Sequence, residues 1–373
     1  CCPRCGGQIV QSCFGIVGRT GTVVMERAMR ALIVRGTDLN FETVPDPIIS
    51  HDRDAIIKTT QCGICGSDLH LVHNDWEPFR PVYGIGHEAV GEVMEIGKGV
   101  TDLKVGDRVM LAGSVGCGMC APCLKGEIKR CENGASGVYG IGLGLEGCQA
   151  EAVRVPHADF NAAKIPEGIN DDQAILLTDN LVTAYSACRD ADVAPGRSVA
   201  VIGLGPIGLM AVELSLAMGA NPVYAIDPIA ERREIAARLG AVALPPDSLA
   251  EVLAEHTKGH MIDCVIEAVG KQATIDLAMS IVGIGRTISV LGAGLGLEVR
   301  IPFQSMYNGI TVRANMLTEI SRFWPELVPM VQLGRIHPEQ FISDHFALAE
   351  GLKAYDRAIK REPGVLKIMM RPD

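Results

Sequence analysis

Cys117, Cys120, Cys123 and Cys131 stand in the spacing C-x2-C-x2-C-x7-C. A structural zinc ion takes four soft ligands from short loops that wrap it, and a filled tetrahedron leaves no place for water. Gly116, Gly118, Pro122 and Gly126 make the intervening segment turn-rich, so its backbone can curl around a metal. The spacing therefore predicts a structural zinc rather than four unrelated buried thiols. A second group is looser in sequence and chemically sharper. Residues 62–70 read CGICGSDLH and place thiols beside a hydroxyl, a carboxylate and an imidazole. Gly86-His87-Glu88 follows, and Leu177-Thr178-Asp179-Asn180 comes much later. One thiolate, one imidazole and one carboxylate would hold zinc through three protein atoms and leave a fourth position open, which is the catalytic arrangement. Taken alone, His87 reads as a satisfied core histidine and Asp179 as a helix N-cap. Their joint occurrence with the four-cysteine lobe favours the metal.

These groups need a scaffold, and the second half of the chain declares one. Residues 198–208 read SVAVIGLGPIG, a β-branched strand running into G-x-G-x-x-G and then into an apolar helix to Met218. Gly203 makes the tight turn, Gly205 lets the backbone approach a pyrophosphate, and Gly208 permits close helix–strand packing. Pro206 and Ile207 open the helix, whose N-terminus faces the phosphates. A second strand, 222–226, ends in Asp227, whose carboxylate can accept hydrogen bonds from ribose hydroxyls and would repel a 2′-phosphate. NAD is therefore expected over NADP, although Arg232 and Arg233 could blunt the preference. Helices near 231–239, 249–256 and 272–281 alternate with strands at 261–267 and 286–291, the latter followed by Gly292. Such alternation predicts an α/β fold with a doubly wound parallel sheet, with ligands at the carboxyl ends of its strands.

Composition narrows the class. The chain has 373 residues, 48% of them apolar and 21% charged, enough for two domains. A net charge of −10 argues against a nucleic-acid partner, and aromatics at 4% offer no base-stacking platform. The most apolar stretch, 199–220, is broken by Pro206, Glu213 and four glycines, so a buried strand and helix are expected there rather than a membrane span. No continuous apolar run at the N-terminus resembles a signal peptide, and a cytoplasmic address is expected. Thirteen cysteines in a reducing compartment point to metal rather than disulfides. Cys148, Cys188 and Cys264 read as ordinary buried thiols. Residues 1–28, with Cys1, Cys2, Cys5 and Cys13, read as a leader foreign to the fold, with Met25 or Met29 as a start and a first strand over 30–34.

These motifs resemble the zinc-dependent medium-chain alcohol dehydrogenases. The resemblance rests on CGICGSDLH, GHE at 86–88, the four-cysteine lobe, VGDRV at 105–109, LTDNLVTAY at 177–185 and GLGPIG at 203–208, in unbroken order across about residues 29–373. It implies that Cys65, immediately before GSD, is the catalytic zinc's cysteine and Cys62 only its neighbour, with His87 and Asp179 completing the set. Asp179 falls where many members have a third cysteine, and a subset has aspartate. The resemblance further implies that Glu88 lies behind the metal, either exchanging onto it or pairing beside it. It makes Ser67 the hydroxyl that touches the substrate oxygen and begins a proton relay, His70 the group that passes the proton to solvent, and Asp68 the carboxylate that orients His87. Gly292 would lie beside the nicotinamide.

The implied architecture is a β-rich, GroES-like catalytic domain (29–180 and 317–373) carrying both zinc ions, and a Rossmann NAD-binding domain (181–316). The implied activity is hydride transfer between a small alcohol and NAD, giving an aldehyde or ketone, in a homodimer or homotetramer. A small neutral primary or secondary alcohol is expected. Trp76 and Phe79 are candidates for the pocket wall, although packing on a loop suits them equally, and His73 reads as surface. Formaldehyde, polyol or threonine dehydrogenases of the same family are the competing readings. A redox-silent binding protein or a zinc-free reductase on this fold should have lost Cys65, His87 or Asp179, and none is lost.

Overall fold

Val199–Ile202 and Val223–Ile226 are short apolar runs buried at every position, as parallel strands covered by helices on both faces require. In the computed structural model, which describes residues 28–72, 82–141, 145–247, 249–292, 299–315 and 317–372, they lie at the centre of a six-stranded parallel sheet. Numbered from Val199–Ile202 in chain order, its strands run 3-2-1-4-5-6, the doubly wound arrangement with a switch point beside the first strand. The expected leader, apart from Ala28, and His73, Trp76 and Phe79 lie outside the described residues. Among those described, no helix is long and apolar enough to cross a membrane.

A second, seven-stranded sheet is built around Ala55–Ile64, which pairs antiparallel with Ala89–Ile96, Ala152–Val155 and Lys367–Arg371. The chain thus leaves this sheet, builds the parallel one, and returns with Ile342–Ala347 and Lys367–Arg371 as its last strands. A smaller sheet joins Ala28–Arg35 to Asp38–Pro45 and Val82–Gly84.

Most expected elements fall within a residue or two of the observed ones, and one differs by more. The last strand begins only at Lys367, although the apolar run starts at Val365, because the chain is still turning there. Gly364 takes φ +81°, and Val365 N–H donates back to Glu362 O at 3.1 Å. The strand expected at 286–291 already begins at Val282 and passes Gly283 and Gly285 with a register irregularity against Ile262–Glu267. Glycines in a strand mark such irregularities rather than its end.

One apolar cluster joins the two large sheets. Val90 and Met110 on one side meet Leu181, Val201 and Leu209 on the other, closed over by helix Ile320–Gln332. That helix buries Ile320, Phe323, Trp324, Leu327 and Val331, spaced three and four apart on one face. Trp324 Nε1 donates to Leu177 O at 2.8 Å, two residues before Asp179, so this helix also pins the turn that carries Asp179. Trp324→Phe removes the donor and shrinks the buried ring. We expect it to lower unfolding free energy by about 1–3 kcal/mol, read as a lower urea midpoint at unchanged slope.

Candidate functional site

Three segments, each ended by a sharp change of direction, converge at one edge of the seven-stranded sheet. Strand Ala55–Ile64 stops at Cys65, where helix Gly66–Val72 begins. Asp68 in its first turn accepts the Cys65 N–H at 2.9 Å and fixes that corner. Gly86 adopts φ +90° just before His87, and a Cβ there would lie 2.4 Å from the Gln149 side chain. Asp179 follows helix Asp171–Leu176, which opens with a capping box between Asn170 and Gln173. It occupies the N-cap position of helix Asn180–Asp190 yet makes no capping hydrogen bond. Its carboxylate is directed to the cluster instead.

Ligand atoms of Cys65, His87, Glu88 and Asp179 all lie within 4.8 Å of one another. Asp179 Oδ2 is 3.7 Å from Cys65 Sγ and 3.7 Å from His87 Nε2. Zinc bonds of about 2.0–2.3 Å place tetrahedral ligands about 3.3–3.8 Å apart, so this donor set fits the ion. Ser67 Oγ lies 3.4 Å from His87 Nε2, beside the cluster. His70 lies in the last turn of the same helix, half-buried and outside the cluster. Cys62 stays apart, its thiol directed at Met370 O.

The surroundings hold each donor in one pose. His87 Nδ1 faces Asp68 Oδ1 at 3.3 Å, which leaves Nε2 for the cluster. Asp68 Oδ2 also accepts from Gln149 Nε2 at 3.2 Å, and Tyr355 O–H donates to Gln149 Oε1 at 2.9 Å. Asp179 Oδ2 accepts from Asn180 Nδ2 at 2.8 Å and its Oδ1 from Thr183 Oγ1 at 3.2 Å. Glu88 pairs with Lys367 at 2.5 Å, both side chains only 1% exposed. Burial raises the Asp179 carboxyl, but hydrogen bonding and charge from His87, with Lys367 and Asn180, outweigh it and bring its pKa down to about 2. Burial likewise disfavours the His87 imidazolium, yet Asp68, Cys65 and Asp179 raise its pKa well above the usual value. Glu88 is raised because burial exceeds the relief from Lys367. Gln149, Tyr355, Thr183 and Lys367 were not singled out from sequence. The signal nearest to them is QAEAVRVP at 149–156, which carries no metal-ligand pattern.

The four cysteines of the lobe also meet within 4.8 Å. Cys117 and Cys123 sulfurs are 3.8 Å apart, matching the edge of a zinc–thiolate tetrahedron of about 3.8 Å. Burial would raise the Cys117 thiol, but N–H groups of Met119 and Cys120 favour its thiolate and bring it down to about 6. Asn161 ties the lobe to the sheet, giving and accepting hydrogen bonds with Gly116. Cys148, Cys188 and Cys264 are buried free thiols, as expected.

At the carboxyl edge of the parallel sheet, the glycine turn has the sterics a dinucleotide needs. Gly203 takes φ +90°, and a Cβ on Gly208 would sit 1.8 Å from Gly203 O. A Cβ on Gly205 would meet nothing within 4 Å, so the turn presents bare backbone to open space. Pro206 and Ile207 begin helix Pro206–Ala217. Asp227 accepts N–H bonds from Leu204 and Ile229 at 2.8 Å each, joining the second strand to the turn. Arg233 is tied to the carbonyls of Asp227 and Pro228, and Arg232 comes within 4.0 Å of the Asp227 carboxylate. Gly292 packs on the Val269–Gly270 turn, where a Cβ would lie 2.1 Å from Gly270 N.

With this geometry in place, comparison with known proteins is informative. The family model described as alcohol dehydrogenase GroES-like domain matches residues 51–167, and that described as zinc-binding dehydrogenase matches residues 206–332. A probable zinc-binding alcohol dehydrogenase of Mycobacterium tuberculosis is 38% identical over 347 residues, covering 92% of this chain and 89% of the relative. The structure of an alcohol dehydrogenase from Thermus sp. ATN1 superposes with a TM-score of 0.87 at 34% identity, over 92% of this chain and all of that one. A putative zinc-binding dehydrogenase from Sinorhizobium meliloti, bound to NADP, gives a TM-score of 0.81 at 27% identity, over 93% of this chain and 100% of that one.

Proposed function

Because the chain belongs to the zinc-binding alcohol dehydrogenase family, oxidoreductases that join zinc and a nicotinamide cofactor to alcohol chemistry, we propose that it transfers hydride between a small neutral alcohol and NAD. The observation that carries this reading is the meeting of Cys65, His87 and Asp179 donor atoms beside the Ser67 hydroxyl. In this reading those three residues hold the catalytic zinc, and Cys117, Cys120, Cys123 and Cys131 hold a structural one. Residues 29–180 and 317–373 form the catalytic domain, and 181–316 the cofactor domain.

When bound, zinc supplies a Lewis acid that stabilises the developing alkoxide, and the nicotinamide supplies the hydride acceptor. The chain does the rest. Asp68 holds His87 with Nε2 toward the donors, and Asn180 and Thr183 hold Asp179. Ser67 Oγ would accept the alcohol proton as it gives up its own hydroxyl proton, and His70, one turn further along the same helix, would release a proton to solvent. The bare backbone from Gly203 through Gly205 and Pro206 to Ile207 and Gly208 receives the pyrophosphate at the start of its helix. Asp227 would receive the adenosine ribose, and Gly292 would border the nicotinamide.

A second copy of the chain is the expected partner. Phe303, Met306 and Tyr307 are 74–84% exposed, in a helix next along the chain to the outer strand Thr311–Ala314 of the parallel sheet, whose far edge has no partner among the described residues. Exposed apolar clusters of this kind, near an open strand edge, mark association surfaces. Phe303→Asp with Tyr307→Asp should shift the sedimentation coefficient toward the monomer.

The two metals separate experimentally. Asp179→Ala should keep the fold, lose one zinc equivalent and cut NADH production from small alcohols at least about a hundredfold, as losing a Lewis acid worth several kcal/mol demands. Cys120→Ser should lose the other equivalent and lower Tm and yield. Near-normal zinc and turnover in Asp179→Ala would place the third ligand elsewhere. Activity confined to polyols, threonine or a glutathione adduct would refute the small-alcohol choice alone.

Cofactor choice rests on Asp227. Asp227→Ser should raise the ratio of kcat/KM with NADP to that with NAD by about tenfold or more, through loss of the ribose acceptor and of repulsion at the 2′-phosphate. A native enzyme already favouring NADP tenfold would show that Arg232 and Arg233 dominate.

A further inference from the structure

Lys367 is a lysine with no access to water, lodged directly behind the metal donors. It begins the strand Lys367–Arg371, whose Ile368 pairs with Ile64 one residue before Cys65. Its Nζ donates to Ile64 O at 2.9 Å and to Glu88 Oε1 at 2.6 Å. Glu88 Oε1 also accepts from Asn180 Nδ2 at 2.7 Å. Room for this carboxylate is made by Gly63, where a Cβ would sit 2.2 Å from Glu88 Oε2.

Glu88 is also within 4.8 Å of the ligand atoms of Cys65, His87 and Asp179. The site therefore contains four potential donors. Four protein ligands close a zinc site, whereas catalysis requires three and an open position. Two cations can claim the Glu88 carboxylate, the Lys367 ammonium and the metal. A carboxylate surrendered to the metal would leave the ammonium buried and unpaired, which is strongly unfavourable. The Ile64 carbonyl gives the ammonium a second partner, fixed in the strand, that opposes its following the carboxylate.

We propose that Lys367 is a positioning residue that retains Glu88 behind the site and so keeps the fourth coordination position free for the alcohol. This rests on the reading of Cys65, His87 and Asp179 as the catalytic ligands. Lys367 touches neither substrate nor cofactor and acts only through Glu88.

The test uses the full chain with cobalt exchanged into the Cys65 site. It reads the cobalt visible bands, their response to added imidazole, and the rate of metal release to a chelator. Lys367→Met removes the ammonium at similar length. The bands should shift, imidazole should no longer perturb them, and release should slow by about tenfold or more, within the range that residues supporting metal ligands command. Adding Glu88→Gln to that variant should restore the original bands, imidazole response and release, a reversal that a purely structural role for Lys367 would not give. Glu88→Gln in the otherwise unaltered chain should keep the parent cobalt bands and imidazole response, since Glu88 is not a ligand while Lys367 holds it. This variant keeps Lys367 and decides the matter even if Lys367→Met fails to fold, because a shift of its bands would make Glu88 a ligand and overturn the inference. Unchanged bands and release in a folded, loaded Lys367→Met would overturn it as well. Absence of metal from the Cys65 site in the unaltered chain would overturn the zinc reading, and this inference with it.

Discussion

Bringing the donors of Cys65, His87, Glu88 and Asp179 within 4.8 Å of one another concentrates negative charge in a poorly solvated place. Buried carboxylates are tolerated only when paired or hydrogen-bonded, and the shell around this cluster meets that demand residue by residue. Asp68 is fully buried and accepts from the Cys65 N–H and from Gln149. Asn180 serves both Asp179 and Glu88, and Lys367 neutralises Glu88. These partners come from the loop before Ala152–Val155, from the helix Asn180–Asp190 and from the last strand. The seven-stranded sheet must therefore be completed by the end of the chain before the site is electrostatically complete.

The same constraint ties the metal cluster to the glycine turn. Asp179 stands at the start of helix Asn180–Asp190, and the turn Gly203–Gly205 at the start of helix Pro206–Ala217. The two helices pack against each other, with Leu181, Ala184, Leu209 and Val212 in one buried cluster. A pair of packed helices thus fixes the start of one relative to the start of the other. Interiors packed at crystal-like density transmit such placement with little slack. Hydride transfer depends on that relation, since effective reaction needs reacting atoms held at near-contact distance.

How much of this was legible in the chain follows from distance along it. The cysteine lobe and the glycine turn were readable because their spacing lies within a few residues and carries its own steric logic. Cys65, His87 and Asp179 were readable only jointly, since each alone suits a bland role. Asp179 shows why, because it does sit at an N-cap position while its carboxylate serves the cluster. Gln149, Tyr355 and Lys367 were not legible. A lysine 279 residues from its carboxylate looks like any surface lysine until strand pairing brings Ile368 opposite Ile64. The start of the last strand is set by a local feature, the turn at Gly364, which apolar patterning does not register.

Two clusters of four donors in one chain, for which different tasks are proposed, show what donor count alone does not decide. In the lobe, all four groups are thiols of one short segment, and the partners of Cys117 are N–H donors of Met119, Cys120 and Asn133, which favour the thiolate without competing for a metal as a cation would. With N–H partners of this kind, all four sulfurs would be left to close the proposed structural tetrahedron. In the other cluster, the fourth donor is a carboxylate with a buried ammonium at 2.5 Å on its far side. Opposite charge at that distance in a low-dielectric setting is worth far more than in water, so the choice of partner for Glu88 is electrostatic rather than geometric. On the proposed reading, what would make one zinc site structural and the other catalytic is what stands behind the ligands as much as the ligands themselves.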